Sequence, residues 1–186
     1  MKLYVVRHGQ TNWNIERRLQ GTSEVPLNDT GIKQAQNLAE TFKNIDIDFI
    51  FSSPLQRAYD TASFINQYKN LPIHIDARLI ERGFGDFEGL DDVSISSFDC
   101  NINKLLDYHL NYNLYHVEPI QNVFTRVSAL LTDLKKLYPD KNILLATHGG
   151  VVQVIESILK NLPKETDLQL LRLDNCEYRT YSFDVC

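Results

Sequence analysis

Cysteine is scarce in this chain, and its placement excludes the two structures that cysteines most often build. The 186 residues include three cysteines, Cys100, Cys176 and Cys186, which lie far apart and form no Cys-x-x-Cys pair. An odd number of widely spaced cysteines supports neither a disulfide framework nor a zinc site. A reducing, cytoplasmic setting is therefore the expected localisation.

Long apolar runs and an excess of positive charge are also missing. No stretch approaches the roughly 20 apolar residues that a membrane-spanning helix needs, and the N-terminus leads directly into a strand pattern with no signal peptide. The formal net charge is −5, which provides no general field for nucleic acid or acidic lipid. We therefore expect neither of these as a partner, and any anion site must be built from a local group of cations. These features leave the oligomeric state open.

Motifs for nucleotide cofactors and metals are absent as well. No Gly-x-Gly-x-x-Gly follows a predicted strand, and no Gly-Lys-Ser or Gly-Lys-Thr sequence occurs. His74, His109 and His116 have no companions at the spacing of a metal site. The sequence thus predicts no dinucleotide, no metal and no other cofactor.

What the chain does contain is an alternation of strand-like and helix-like segments, which is typical of α/β architecture. Its length of 186 residues is enough for one substantial core, so we predict a single domain over residues 1–186. The most apolar predicted strand, 143–147, is expected at the centre of the sheet. Predicted strands cover residues 3–7, 49–51, 73–75, 143–147, 170–173 and 178–183. Predicted helices begin at Asp29, at the N-cap pair Ser53-Pro54, at Pro119 and at Val151.

Two of the predicted strands end in the same way. Residues 3–6 run into Arg7-His8-Gly9, and residues 143–146 run into Thr147-His148-Gly149. Because the carboxyl ends of parallel strands meet at one edge of a sheet, we expect both imidazoles to lie there side by side. A neutral imidazole is a nucleophile near neutral pH, and a charged one donates hydrogen bonds to anions.

A second arginine is expected at the same edge. Arg57 lies in the first turn of the helix that follows strand 49–51, so it points back toward the strand ends, near the positive end of the helix dipole. The helix after Gly149-Gly150 presents its N-terminus to the same place. Arg7 and Arg57 can each donate paired hydrogen bonds to phosphoryl oxygens. Together these groups predict a site for a phosphoryl group.

Several motifs, taken in order along the chain, resemble those of the histidine phosphatase superfamily, also called phosphoglycerate mutase-like. The resemblance extends over nearly the whole chain, although Gln10 stands where the family more often has glutamate. The motifs are Arg7-His8-Gly9-Gln10-Thr11 with Trp13-Asn14, Arg18-Leu19-Gln20-Gly21, Pro26-Leu27-Asn28 with Gly31, Ser52-Ser53-Pro54-Leu55-Gln56-Arg57-Ala58, Leu79-Ile80-Glu81-Arg82 with Gly85-Asp86-Phe87-Glu88-Gly89, and Glu118 and Arg126 followed by His148-Gly149-Gly150.

The resemblance implies a three-layer α/β/α sandwich with a mostly parallel central sheet, and a phosphohistidine intermediate. In that scheme His8 is the nucleophile, and His148, if protonated, is a further donor. Glu81 is the general acid, selected among several acidic residues only by the family motif; Glu88 and Glu118 are expected to bind backbone groups or arginine. Arginines take the place of a metal cation, so the predicted chemistry is metal-independent. The residues expected against the substrate are Arg7, Asn14, Gln20, Gly21, Arg57, Arg82 and Gly149, with an N-cap role as the alternative for Asn14 and a surface salt bridge as the alternative for Arg82.

Phosphatases and mutases share such a core. A mutase shields its phosphohistidine from water and holds a highly anionic acid, which requires cations in a closed lid. Residues 90–117, the predicted lid, contain four aspartates and a single basic residue, Lys104. We therefore predict an enzyme that hydrolyses small-molecule phosphomonoesters with a less anionic leaving group, with α-ribazole phosphate or a broad set of esters as candidates. A cofactor-dependent phosphoglycerate mutase and a non-catalytic phosphate-binding protein are the alternatives.

Overall fold

The computed structural model describes residues 1–98 and 115–182, and a five-stranded sheet forms its centre. The strands are β1 (Lys2–Arg7), β2 (Phe49–Ser52), β3 (Ile73–Ile75), β4 (Asn142–Thr147) and β5 (Tyr178–Ser182). Their order across the sheet is β3-β2-β4-β1-β5, and all neighbours are parallel except β5, which runs antiparallel to β1 at one edge. The predicted central position of residues 143–147 is confirmed.

Helices connect the strands and cover the sheet. The α-helices of the described segments are α1 (Asn12–Ile15), α2 (Asp29–Phe42), α3 (Gln56–Asn66), α4 (Asp92–Ser96), α5 (Ile120–Leu137) and α6 (Gly149–Leu159). Single turns of 3-10 helix occur at Ala77–Leu79, Gly85–Phe87 and Leu168–Leu171. The predicted helices that begin at Asp29 and after Pro119 are confirmed, and α6 begins two residues before the predicted Val151.

Alternate side chains of β1 belong to two apolar clusters, one on each face of the sheet. Leu3 and Val5 pack against α5 and α6, whereas Tyr4 and Val6 pack against α2 and α3 on the opposite face. Successive side chains of a strand point to opposite faces, so a strand that is covered on both sides must be apolar at every position. Residues 3–6 and 143–146 are buried throughout and meet this requirement. The mostly parallel, three-layer α/β/α architecture is confirmed.

The predicted strand at residues 170–173 is wrong. The segment Leu168–Leu171 is a 3-10 helix, with the Asp167 side chain accepting a hydrogen bond from the Gln169 amide at 2.9 Å. Leu168 and Leu171 are buried while Leu170 is 78% exposed. Buried residues three positions apart fit the period of this helix and not the two-residue period of a strand.

The predicted helix cap at Ser53-Pro54 is also wrong. Helix α3 begins at Gln56, and its N-cap residue, Leu55, makes no side-chain capping bond. The hydroxyl of Ser53 lies 2.7 Å from Nε2 of His148 and also accepts a hydrogen bond from the Leu55 amide at 3.3 Å. The Ser53 side chain therefore contacts both the site and the backbone of the N-cap residue.

A buried ion pair attaches β5 to α6. The carboxylate of Glu156 is 3% exposed and pairs with Arg179 of β5 and, at 2.6 Å, with Lys160. Arg179 also donates hydrogen bonds to the carbonyls of Leu171 at 3.0 Å and Arg172 at 2.9 Å. These contacts fix the segment 168–172 against α6.

The predicted lid, residues 90–117, is described only at its ends, because 99–114 lie outside the described residues. Helix α4 belongs to its first part, where Ile95 packs with Phe84, Phe87 and Val117 in a small apolar cluster. Among residues 1–98 and 115–182, no helix is both long and apolar enough to cross a membrane.

Candidate active site

A cavity of about 500 Å³ opens at the carboxyl ends of β1 and β4, a volume within the range of small-molecule sites. Most of the residues expected at the site from sequence line it. Its lining comprises Arg7, His8, Trp13, Asn14, Arg17, Arg18, Leu19, Gln20, Gly21, Arg57, Glu81, Phe84, Asp92, Gly149, Gly150, Gln153, Gln169 and Arg172.

The ring of His8 has one defined tautomer. Its Nδ1 lies 2.7 Å from the carbonyl oxygen of Gly9 and donates the hydrogen bond, so Nε2 carries the lone pair. The backbone of His8 and Gly9 is held by two hydrogen bonds. The His8 amide donates to the Thr147 carbonyl at 2.9 Å, and the Gly9 amide donates to the Thr61 hydroxyl at 3.0 Å.

Burial and neighbouring cations keep this ring neutral. His8 is 3% exposed. Burial lowers the pKa of His8 well below its usual value, and the charges of Arg7 and Arg57 lower it further, against a smaller opposing effect of the Gly9 carbonyl. A neutral imidazole with a free lone pair is the form in which histidine acts as a nucleophile.

His148 lies beside His8 and is not among the described residues that line the cavity. The two ring centroids are 5.2 Å apart. Burial lowers the pKa of His148 well below its usual value, with the charge of Arg57 as the next cause, so this ring is neutral in the protein without a ligand. A phosphoryl anion bound in the cavity would raise the pKa of His148. The role of His148 as a charged donor stays a prediction.

The two arginines of the site are oriented by backbone carbonyls. Arg7 donates to the Leu173 carbonyl at 2.6 Å, and Arg57 donates to the carbonyls of Gly21 at 2.7 Å and Ser23 at 2.8 Å. The Nε atoms of Arg7 and Arg57 are buried without a partner among the described residues. A buried donor without a partner costs about 1–3 kcal/mol. An anion bound in the cavity that both arginines line would provide the missing acceptors.

Glu88 holds the loop that orients Arg57. Its carboxylate accepts hydrogen bonds from the amides of Thr22, Ser23 and Phe84 at 2.9, 2.9 and 3.0 Å. Gly21 in this loop has φ +52°, and a Cβ there would lie 2.0 Å from Glu88 Oε1. The expected backbone-binding role of Glu88 is confirmed.

Glu81 has both carboxylate oxygens anchored at the cavity wall. Oε1 accepts from the Arg82 amide at 2.9 Å, and Oε2 accepts from the Gly150 amide at 3.1 Å. A Cβ at position 150 would lie 2.7 Å from Oε1, so glycine lets the first turn of α6 approach this carboxylate. The position suits a proton donor to the leaving group, and the general-acid role stays a prediction.

Arg82 is not among the described residues that line the cavity, and its substrate-binding role stays a prediction. Its side chain is 1% exposed, which excludes the surface salt bridge expected as the alternative, and its Nε donates to the Glu118 carbonyl at 2.6 Å. Glu118 accepts from the Gly83 amide and from Arg126, both at 3.2 Å, which confirms its predicted structural role.

Asn14 presents a donor to the cavity. Its Oδ1 accepts from the Thr11 amide at 3.0 Å and from Nδ2 of Asn175 at 3.2 Å. Because the amide oxygen is held on the protein side, the opposite Nδ2 is the group available to a ligand. The N-cap of α1 is Thr11, so the alternative N-cap role of Asn14 is wrong.

Asn175 is a site residue that sequence analysis missed. Its Nδ2 donates to the carbonyl of His8 at 3.0 Å as well as to Oδ1 of Asn14. The Cys176 amide donates to the carbonyl of Arg7 at 3.1 Å, so the whole turn braces the end of β1. These partners lie more than 160 residues away in sequence, and no local pattern signals the contact. Arg17, Gln169 and Arg172 were missed for the same reason.

Replacing Asn175 by aspartate is expected to lower kcat about 100-fold with little change in KM, since a carboxylate facing the His8 carbonyl and Asn14 Oδ1 repels both oxygens, and small displacements of reacting groups cost rates of this order. Steady-state hydrolysis of a phosphomonoester measures this, with the exposed Thr180→Ala on β5 as the control. Asn175→Asp with a wild-type kcat would show that the contact does not position the site.

No group of three or more histidine, cysteine, aspartate or glutamate side chains within residues 1–98 and 115–182 is arranged to hold a metal ion. The expectation of metal-independent chemistry therefore stays a prediction, to be tested with chelators.

Comparison with known proteins agrees with the fold and with the resemblance to the histidine phosphatase superfamily. The family model of the histidine phosphatase superfamily, branch 1, matches residues 3–185. The uncharacterized phosphatase PhoE of Bacillus subtilis is 33% identical over 172 residues, which cover 92% of this chain and 82% of the relative. The probable phosphoglycerate mutase GpmB of Escherichia coli is 34% identical over 177 residues, covering 95% and 82%.

Solved structures give the same assignment. A mycobacterial glucosyl-3-phosphoglycerate phosphatase, in complex with VO3, superposes with a TM-score of 0.89 at 29% identity, covering 97% of this chain and 92% of the other. The α-ribazole phosphatase of Shigella flexneri superposes with a TM-score of 0.87 at 28% identity, covering 99% and 91%. With the two His-Gly strand ends, the paired arginines and the family match over nearly its whole length, the chain belongs to the histidine phosphatase superfamily, branch 1.

Proposed function

We propose that this protein is a metal-independent phosphatase that hydrolyses small-molecule phosphomonoesters through a phosphohistidine at His8. The observation that carries the proposal is the state of His8. Its Nδ1 is committed to the Gly9 carbonyl, its pKa is lowered, and its neutral Nε2 faces the region that Arg7 and Arg57 surround. Relatives and structural neighbours named as phosphatases support the reaction class.

The reaction has two steps. In the first, Nε2 of His8 attacks phosphorus, the ester P–O bond breaks, and Glu81 gives its proton to the departing oxygen. Arg7, Arg57 and the Asn14 amide bind the phosphoryl oxygens, which spreads the charge of the transition state over fixed donors.

In the second step a water molecule attacks phosphorus. Glu81, now a carboxylate, takes the proton from the water, the P–N bond to His8 breaks, and inorganic phosphate is released. Since one carboxyl group serves as acid and then as base, its position next to both the leaving group and the incoming water is essential.

The cavity also limits the size of the substrate. Its volume of about 500 Å³ is that of a small-molecule site. We include in the proposal a single domain over residues 1–186 and a cytoplasmic location. The half-buried Cys176 is a free thiol, which fits a reducing setting.

Phosphate release from p-nitrophenyl phosphate in excess chelator tests the proposal. We expect the wild-type protein to release phosphate from p-nitrophenyl phosphate and from 3-phosphoglycerate. We expect both of these rates to exceed the rate at which it converts 3-phosphoglycerate to 2-phosphoglycerate. Faster conversion than release would instead indicate the mutase. Absence of both activities, with phosphate still binding, would indicate the non-catalytic binding protein.

A further inference from the structure

The outer wall of the cavity carries positive charge that the phosphoryl chemistry does not use. Arg17, Arg18 and Arg172 line the same cavity as Arg7 and Arg57, but their side chains are exposed, whereas those of Arg7 and Arg57 are buried or nearly so. These three residues come from two segments that are far apart in sequence. One follows α1, and the other follows the 3-10 helix Leu168–Leu171.

Arg18 is already partnered, whereas Arg172 is paired only weakly. The Arg18 guanidinium lies 2.8 Å from the Glu16 carboxylate. The Nε of Arg172 is 4.0 Å from Asp174, and both side chains are at least 69% exposed. An ion pair at that distance and exposure contributes little. Burial is the main cause that lowers the pKa of Arg7, and the Arg172 charge lowers this pKa as well, so the two cations lie near each other.

Arg17 combines a strained backbone with an unneutralised charge. Its φ is +54°, in the left-handed region, which costs about 1–2 kcal/mol for a residue with a Cβ. Its guanidinium makes no ion pair with a carboxylate of residues 1–98 or 115–182. Backbone strain of this kind persists where the rest of the structure requires the position, most often at functional sites. Glycine would relieve the strain, and arginine there supplies a cation to the cavity.

Among the described side chains that line the cavity, arginines outnumber carboxylates. The five arginines are Arg7, Arg17, Arg18, Arg57 and Arg172, and the two carboxylates are Glu81 and Asp92. Outside this lining, Glu16 is bound to Arg18, and Asp174 stands at the limit of an ion pair with Arg172. The described lining therefore carries net positive charge beyond what one phosphoryl group needs. Cations that lack firm partners at a cavity mouth favour an anionic ligand and accelerate its entry.

We propose that the substrate bears a second anionic group, such as a carboxylate, on its leaving alcohol, and that Arg17 and Arg172 bind this group. The inference rests on the proposed phosphatase function and names a class of substrate for it. It differs from the less anionic leaving group that the acidic lid led us to expect. That expectation counted charges in residues 90–117 only, whereas the cations of the cavity mouth come from residues 17–18 and 172.

A matched pair of substrates tests this inference. 4-Carboxyphenyl phosphate and 4-carbamoylphenyl phosphate have nearly the same shape, and only the first has a second anion. We expect wild-type protein to have the higher kcat/KM for the carboxylate, and Arg17→Gly and Arg172→Gln each to lower the ratio of the two kcat/KM values about tenfold, the usual effect of losing a charge-assisted hydrogen bond. Comparing ratios cancels the difference in leaving-group chemistry between the two esters.

Two controls separate the possible outcomes. Arg17→Gly relieves the positive φ, so its unfolding free energy should not fall, and Lys33→Gln removes an exposed cation on α2 and should leave the ratio unchanged. If wild type hydrolyses both esters and the two arginine variants keep the wild-type ratio, the inference is wrong and the phosphatase function stands. If wild type hydrolyses neither ester, the phosphatase function fails and the inference fails with it.

Discussion

Replacing His8 by alanine is expected to lower kcat for phosphomonoester hydrolysis by about 10⁴-fold or more, the scale of loss when a covalent catalyst loses its nucleophile. The neutral Nε2 of His8 is the nucleophile of the proposed mechanism, and the variant removes it while leaving the binding donors of Arg7 and Arg57 in place. We therefore expect inorganic phosphate to bind His8→Ala with an affinity close to that of wild type. Phosphate release and equilibrium phosphate binding, measured on the same preparation, check both parts.

The covalent step has a direct signature. A P–N bond is broken in acid and survives in base, so wild-type protein quenched in base during turnover should carry one added phosphoryl mass, and His8→Ala none. His116→Ala is the matched control, because the His116 side chain is 78% exposed and pairs with Asp86 at 3.1 Å. Retention of wild-type turnover by His8→Ala would rule out the phosphohistidine scheme.

Loss of stability in mild acid is the second large effect that we expect. His8 and His148 are both buried with pKa values lowered well below the usual one. As the pH falls through about 6.5, the unfolded chain binds protons at these two histidines and the folded protein does not. Their contribution to stability is therefore complete above that pH and is lost as the pH falls toward the lowered folded-state values.

The slope of this loss is set by proton linkage. Each buried histidine is expected to remove about 1.4 kcal/mol of unfolding free energy per unit of pH, so the pair removes about 2.7 kcal/mol per unit. The pKa values of Asp48, Asp76 and Asp91 are lowered from an ordinary value of 3.8, so these carboxylates act at more acidic pH. The histidines thus determine the slope from about pH 6.5 to 5.

Urea unfolding at a series of pH values, followed by the fluorescence of the single tryptophan, Trp13, measures this slope. His8→Gln and His148→Gln should each reduce the slope by about half, and His116→Gln should not change it. A wild-type slope near zero between pH 6.5 and 5 would contradict the buried, neutral state of both rings. Added phosphate should flatten the slope, because a bound anion favours the charged imidazoles.

Local patterns predicted much of the sheet and its edge. The runs 3–6 and 143–146 are apolar at every position, so both faces of each strand must be covered, as in the centre of a sheet. A histidine follows each strand, and both histidines lie at the same edge because parallel strands end there together. The helical spacing of α2 and α5 was equally clear. The start of α3 was predicted two residues too early: the hydroxyl of Ser53 contacts both His148 and the Leu55 amide, and the helix begins at Gln56.

The sequence by itself determined the α/β class, the two His-Gly strand ends, the position of Arg57 at the start of α3, and the family motifs. Each depends on neighbours within a few residues, where steric and hydrogen-bonding rules act. Only the tertiary structure decided that Arg82 is buried with its Nε on the Glu118 carbonyl, that Asn175 braces His8 and Asn14, and that Arg17 and Arg172 line the cavity. These features depend on contacts between segments up to 167 residues apart, and the geometry of such contacts is set by how the whole chain packs.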